Sequence, residues 1–313
     1  MSEPIISVQH LTVRYGKAEA VHGIDLRVAR GEVVGLIGPD GAGKTSTLRV
    51  VAGLQRATAG EVRVVGLEPW RDRRALHHRL GVLAQRFALY GDLSVDENVL
   101  FFAMLYGVPR WRERRERLLD RVGLTPFRDR QADRLSGGMR QKLALACSLM
   151  HAPEILLLDE PTTGVDPVTR REFWRLLGEL VADGLTLVVA TPYLDEAERC
   201  SRVVLLHEGR VLADATPAQL RALLPGVVVE VDAQPRREAG EVLRALDGVV
   251  DVQAFAARHH VRLATGDGAE RRVRAGLEAA GLTVLEVRQI SPSLEDTFLH
   301  LTRTGTPKTK EAA

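Results

Sequence analysis

Aromatic residues are scarce, at 4% of 313 positions, and cysteine occurs only at Cys147 and Cys200. Two cysteines so far apart cannot build a disulfide framework, which excludes a cross-linked secreted scaffold and leaves a reducing cytoplasm as the simplest compartment. No uninterrupted apolar run approaches the roughly 18 to 20 residues of a membrane-spanning helix. Ile155-Leu156-Leu157-Leu158 and residues 101–105 are the longest candidates, so the chain is not expected to cross a bilayer by itself. Its first residues, Met1-Ser2-Glu3-Pro4-Ile5, have neither the basic leader nor the apolar core of a secretory signal. Charge is balanced, with 43 Lys and Arg against 41 Asp and Glu. No global field draws in polyanions, and no nucleic-acid partner is expected. Internal repeats, coiled-coil heptads and metal-ligand clusters are also missing from the sequence. What remains is a folded chain long enough for two domains, whose 45% hydrophobic content is aliphatic and suits an α/β core.

Lysine is rare too, at positions 17, 44, 142, 308 and 310, while arginine carries most of the positive charge. One of these lysines stands where a compact point charge is needed. Gly38-Pro39-Asp40-Gly41-Ala42-Gly43-Lys44-Thr45 fits the pattern Gly, four residues, Gly, Lys, then Ser or Thr. In such a loop backbone N–H groups cradle phosphates, the lysine reaches the terminal ones and the hydroxyl binds Mg²⁺. The context agrees: residues 31–37 read as a buried strand feeding the loop, and Ser46 begins a helix whose N-terminus faces the phosphates. A second motif, Leu135-Ser136-Gly137-Gly138-Met139-Arg140-Gln141, lies well downstream. Alone it reads as a Ser-capped helix start. Each motif arises by chance in roughly one chain in a hundred of this length, so their joint occurrence, about one in ten thousand, is not accidental.

A third constellation ends an aliphatic strand, Ile155-Leu156-Leu157-Leu158-Asp159-Glu160-Pro161. Ligands of open α/β sheets bind at the carboxyl ends of the strands. Asp159 there can hold Mg²⁺, usually through water, and Glu160 can polarise an attacking water as general base.

Residues 5–14 and 24–30 alternate like antiparallel strands, whereas 33–37, 155–158 and 185–190 are the continuous runs of buried parallel strands. From about 88 to 150 the pattern turns helical, predicting an insert that carries Ser136 to Gly138. The arginine-rich run 110–117, interleaved with Glu113 and Glu116, reads as a solvated helix face in preference to a lipid or partner contact. Strands around Glu208-Gly209 and a helix after Thr216 lead to a boundary at Leu224-Pro225-Gly226, giving domains at 1–224 and 226–303. The second domain runs strand, helix, two strands, helix, strand, a ferredoxin-like βαββαβ order. A short helix opens around Pro292, and residues 304–313 are expected to be a disordered tail. His259 and His260 fit a structural role better than metal binding, with no Cys or further His nearby.

Taken together, these motifs resemble the nucleotide-binding subunit of ABC transporters over positions 5 to about 220. The resemblance implies a P-loop NTPase domain of the ABC ATPase type, with an antiparallel β subdomain and a helical insert, and ATP with Mg²⁺ as ligands. The phosphate-loop residues Gly38, Pro39, Asp40, Gly41, Ala42, Gly43, Lys44, Thr45 and Ser46 match the nucleotide cradle. Tyr15 resembles the aromatic that stacks on adenine, and Gln85 the glutamine that senses Mg²⁺ or water and signals to a membrane partner. As residues alone, Tyr15 equally fits a packed strand position and Gln85 a polar strand end. In the family, Ser136, Gly137 and Gly138 of one subunit close over nucleotide held by a second, and the loop of Asp166 communicates across the dimer. A homodimer is therefore implied. Tyr193-Leu194-Asp195-Glu196-Ala197-Glu198, the small C-terminal domain and Pro292-Ser293-Leu294-Glu295-Asp296-Thr297-Phe298 are similar to drug-resistance export ATPases of the daunorubicin type. These pair with a separate permease of the type-2 ABC exporter class. That implies export of a small hydrophobic compound or drug and a peripheral position at the inner face of the cell membrane, with membrane contact through the permease.

The sequence departs from the family at Pro192, where a histidine usually contacts γ-phosphate. Proline has neither an imidazole nor an N–H. Slow turnover or a substitute donor follows, and a nucleotide-binding regulatory subunit with weak ATPase activity is the alternative this position raises. A soluble ABC ATPase acting on nucleic acid or ribosomes usually has two nucleotide domains or a long coiled coil, and this chain has neither. Asp40 replaces a common asparagine and reads as a solvent-facing turn residue.

Overall fold

Apolar residues alternate at Ile6 and Val8 and again at Leu11 and Val13, so the phase slips by one residue between the pairs. Strand β1 (Ile6–Tyr15) absorbs the slip in a bulge between Val8 and Leu11, where His10 takes a φ of 50°, and all four side chains stay buried. The computed structural model describes residues 3–84, 89–255 and 257–304. Positions 305–313 of the expected tail lie outside the described residues, and Thr304 itself ends a helix.

β1 pairs antiparallel with β2 (Ala18–Val28). β3 (Val33–Ile37) then leads into α1 (Lys44–Val51), and β4 (Ala59–Val64) returns to the other side of β1, completing a three-stranded sheet of order β2-β1-β4. α2 (Arg73–His77) precedes β5 (Leu80–Leu83). The helical insert follows as α3 (Val95–Leu105), α4 (Trp111–Arg121) and α5 (Gly137–Ser148). Its entry is set locally by a capping box: Glu97 N–H donates to Ser94 Oγ at 3.2 Å, and Ser94 N–H to Glu97 Oε2 at 2.7 Å. Asn98, fully buried, reinforces the turn by bonding Tyr90 N and O and the carbonyls of Leu93 and Ser94. Arg115 of the arginine run ties α4 to α3 through Asp96 at 2.7 Å, and Arg128, beyond α4, joins the same carboxylate at 3.1 Å. Both pairs are partly buried, so solvent and salt screen them less than fully exposed ion pairs.

β6 (Ile155–Asp159), α6 (Pro167–Ala182), β7 (Thr186–Thr191), α7 (Leu194–Ala197), β8 (Arg202–His207) and β9 (Arg210–Ala215) complete a six-stranded sheet of order β5-β6-β7-β3-β8-β9, parallel except for β9. β6, β7 and β3 are its central strands, covered on both faces, which is why their sequences are uninterrupted aliphatic runs. Ile6, Leu11, Leu36, Leu48, Leu157 and Val188 share one core cluster that joins the two sheets and α1. The geometry puts the carboxyl ends of β3, β6 and β7 side by side.

A second compact unit begins at Pro217, ahead of the boundary read at Leu224-Pro225-Gly226. It comprises α8 (Pro217–Ala222), β10 (Val227–Gln234), α9 (Arg236–Ala245), β11 (Val249–Phe255), β12 (Arg258–Leu263), α10 (Ala269–Ala279), β13 (Thr283–Ile290) and α11 (Leu294–Thr304). The boundary shifts because α8 packs against α11, with Leu220 and Leu301 buried. The sheet order β11-β12-β10-β13, antiparallel throughout, is the ferredoxin-like arrangement, and Val229, Val231, Val261, Leu243 and Leu277 form its core. His260 stacks on Phe255 at 4.3 Å and lies 3.3 Å from Asp296. Among the described residues, no helix of either unit is long and apolar enough to cross a membrane.

Candidate functional site

The loop at residues 38–45 leaves the end of β3 and turns directly into α1. Gly43 sits at the N-cap with φ 96°, and a Cβ there would lie 2.7 Å from Ala20 O, so only glycine closes this turn. No side chain caps α1, which leaves its first-turn N–H groups available to an anion. Pro39, Asp40 and Gly41 are exposed, whereas Gly38, Ala42, Gly43 and Lys44 are buried.

Lys44 is 4% exposed, and its Nζ donates to Gly38 O at 2.8 Å and Pro39 O at 2.9 Å. An ammonium has three donors, so one remains for a phosphate oxygen. Burial pushes its pKa below the usual lysine value, opposed by the charges of Glu160, Asp40 and Asp159. Thr45 Oγ1 donates to Asp159 Oδ1 at 2.9 Å. Burial raises the Asp159 carboxyl above the ordinary range; the Thr45 hydrogen bond opposes this and the neighbouring Glu160 charge adds to it. A hydroxyl and a carboxylate oxygen in contact are hard donors that fit Mg²⁺.

Glu160 follows with φ 50°, a left-handed conformation that costs a non-glycine residue about 1–3 kcal/mol. Its N–H donates to Ala190 O at 2.8 Å, and Thr163 Oγ1 donates to its Oε2 at 3.2 Å. The strained turn therefore sets one carboxylate beside another at the carboxyl end of β6. Tyr15, 46% exposed, places its hydroxyl 2.6 Å from Gln55 Oε1 and 3.2 Å from Ser46 Oγ, so its ring stands beside the start of α1. Pro192 follows β7; Thr191 O accepts from Gly38 N–H at 3.4 Å, and the next donor along, Tyr193 N–H, is taken by Thr191 Oγ1 at 3.1 Å. The segment at Pro192 thus adjoins the loop, and neither Pro192 nor Tyr193 offers it a free N–H donor.

Ser136, Gly137 and Gly138 lie elsewhere in the unit. Ser136 caps α5, accepting from Met139 N–H at 3.3 Å. Gly138 packs so tightly on α6 that a Cβ would lie 2.3 Å from Thr169 Cγ2. Asp166 caps α6, accepting from Val168 and Thr169 N–H at 3.0 Å each, and Thr169 holds its carboxyl below the usual carboxylate range. Among the described residues no hydrogen bond joins residues 136–138 to the phosphate loop. Gln85 lies outside the described residues. Sequence reasoning missed Gln55, whose only signal was its place just beyond α1, and a buried group around Glu196, which nothing in the pattern separates from Asp195 and Glu198.

The arrangement can hold a chain of phosphates with a divalent cation and present a carboxylate to a water beside them. Residues 21–163 match a family model described as "ABC transporter". The chain is 38% identical to the daunorubicin resistance ATP-binding protein DrrA2 of Streptomyces coeruleorubidus, over 98% of both chains. It is 43% identical to the probable multidrug ABC transporter ATP-binding protein YbhF of Escherichia coli, matching 70% of this chain but only 38% of that longer protein. A solved dimeric ATP-binding cassette in a post-hydrolysis state with ADP and Pi is similar, with TM-score 0.61 and 27% identity, covering 67% of this chain and 98% of that one.

Proposed function

The chain belongs to the ABC transporter family and hydrolyses ATP, and from that premise we propose that it powers export of a small hydrophobic drug through a separate permease. The observation that carries the reading is the contact of Thr45 with Asp159 beside Lys44 and Glu160, reached without any contribution from residues 136–138.

Lys44 and the first-turn N–H groups would bind the phosphates, Tyr15 would flank the base, and Thr45 and Asp159 would hold Mg²⁺, with Gln85 as the further ligand that the family resemblance implies. When bound, the metal neutralises charge on the phosphate oxygens. Glu160 orients the attacking water and takes its proton. Ser136 and the first turn of α5 face a phosphate loop only if a second copy supplies them, so the working unit is a homodimer in which each site is completed in trans and Asp166 lines the seam. An exposed aromatic and aliphatic strip, Tyr90, Phe101, Met104 and Leu105, gives the helical insert a surface for a cytoplasmic helix of the permease. The protein then sits at the inner face of the membrane by that contact.

Inside-out vesicles carrying the protein with the membrane protein that co-purifies with it are expected to accumulate daunorubicin on ATP addition. ATP-independent uptake, or no co-purifying membrane protein, overturns the transport reading. Pro192→His is expected to raise kcat about tenfold or more, since a missing transition-state donor costs roughly 100-fold or more. ATPase rates of the two proteins with the permease present check it, and a lower rate with histidine overturns the idea that Pro192 slows turnover.

A further inference from the structure

One buried carboxylate behind the site has no part in the chemistry above. Glu196 on α7 is fully buried. Its Oε1 accepts from the Thr162 hydroxyl and, at 3.2 Å, from the Trp174 indole N–H. Arg170 Nε stands 4.0 Å away, while the same guanidinium covers the Tyr193 ring at 4.7 Å and donates to Asp195 at 3.1 Å. Glu196 Oε2 and Arg170 Nε have no hydrogen-bond partner among the described residues. An incompletely paired buried carboxylate is costly, and packed apolar residues in place of buried ionic groups are often neutral or stabilising. Cohesion alone therefore does not account for a carboxylate here.

Its partners explain it better. Thr162 follows Glu160-Pro161, Tyr193 follows Pro192, and Trp174 and Arg170 belong to the helix that Asp166 caps. Glu160 holds a left-handed backbone, which persists only where its surroundings over-determine it. The Ala190 carbonyl fixes that turn on one side, and the Thr162 hydroxyl on Glu196 fixes it on the other.

We propose that Glu196 is a positioning residue for ATP hydrolysis, locking the Glu160 turn, the Pro192 segment and α6 into one arrangement that aims the Glu160 carboxylate. The proposal rests on Glu160 as the base. A misplacement of about 1 Å costs on the order of 100-fold in rate without a matching loss of binding. Glu196→Gln and Thr162→Val are accordingly expected to lower kcat roughly 10- to 100-fold with the KM for ATP within about threefold. Thr162→Ser, which keeps the hydroxyl, is expected to stay within about twofold of wild type, and the Glu196→Gln/Thr162→Val double variant to be no slower than the worse single one. Should Glu196→Gln fail to fold, the Thr162 pair decides. Wild-type kcat in Thr162→Val, or a Thr162→Ser loss as large as that of Thr162→Val, overturns the role. If Glu160→Gln is inactive while Thr162→Val is normal, only the Glu196 role falls; if Glu160→Gln turns over normally, the base assignment falls and the Glu196 role with it.

Discussion

Glu160→Gln is expected to reduce ATP turnover by roughly 100- to 10,000-fold, the usual contribution of a positioned general base, while leaving ATP binding intact. Glutamine is isosteric and keeps an oxygen that can still accept from Thr163, whose hydroxyl lies 3.2 Å from Glu160 Oε2. It can adopt the same backbone as readily as glutamate, so the turn at φ 50° is not the variable being changed. What it cannot do is accept a proton from the attacking water. With hydrolysis blocked and the loop unaltered, nucleotide has no route out except dissociation, and the two-copy assembly that completes each site is expected to accumulate. Light scattering after gel filtration in ATP and Mg²⁺ should show a dimer in the variant and a smaller dimer fraction in wild type. Normal turnover in Glu160→Gln removes Glu160 from the base role.

Lys44→Ala is expected to abolish measurable turnover and to weaken ATP binding by about 2–5 kcal/mol, which is roughly 30- to several-thousand-fold in Kd. The size of the effect comes from burial. Lys44 is shielded from water, fixed by Gly38 O and Pro39 O, and has one donor left for phosphate, so its charge acts at close range in a poorly screened site. Alanine removes that charge and also leaves two loop carbonyls without their donor. Lys44→Arg is expected to lose nearly as much, because a planar guanidinium does not fit a slot shaped for an ammonium. Circular dichroism matched to wild type, with binding followed by a fluorescent ATP analogue, separates the site effect from misfolding. An ATP affinity within about threefold of wild type would falsify the assignment.

The sequence was most legible where a single continuous segment carries its own constraint. The loop at 38–45, the aliphatic runs of β3, β6 and β7, and the Ser136 cap each need only neighbouring residues, and each appears in the structure where its pattern placed it. The βαββαβ order of the second unit was readable for the same reason, from alternation and amphipathic periodicity. β2 was read only from position 24, because Ala18-Glu19-Ala20 has no β-branched signature; its first half is a strand by virtue of pairing with β1. β5, four residues with Gly81 among them, is likewise a strand through its parallel pairing with β6. The domain boundary moved ahead because α8 is held by α11, a contact between segments far apart in the chain.

For the site, spacing alone pointed to a phosphate cradle with Lys44 and Thr45 in it, and to an acidic pair at the end of a buried strand. Those are local facts: a turn geometry demands glycine, and a strand end demands a change from apolar to polar residues. Only the tertiary structure decided that Thr45 meets Asp159, 114 positions away, that Tyr15 reaches Ser46 and Gln55, and that Glu196 joins Thr162 to Trp174. Such contacts depend on strand order and helix packing, which bring remote carboxylates and hydroxyls within about 3 Å, and no periodicity along the chain encodes which of several acidic residues will be the one turned inward.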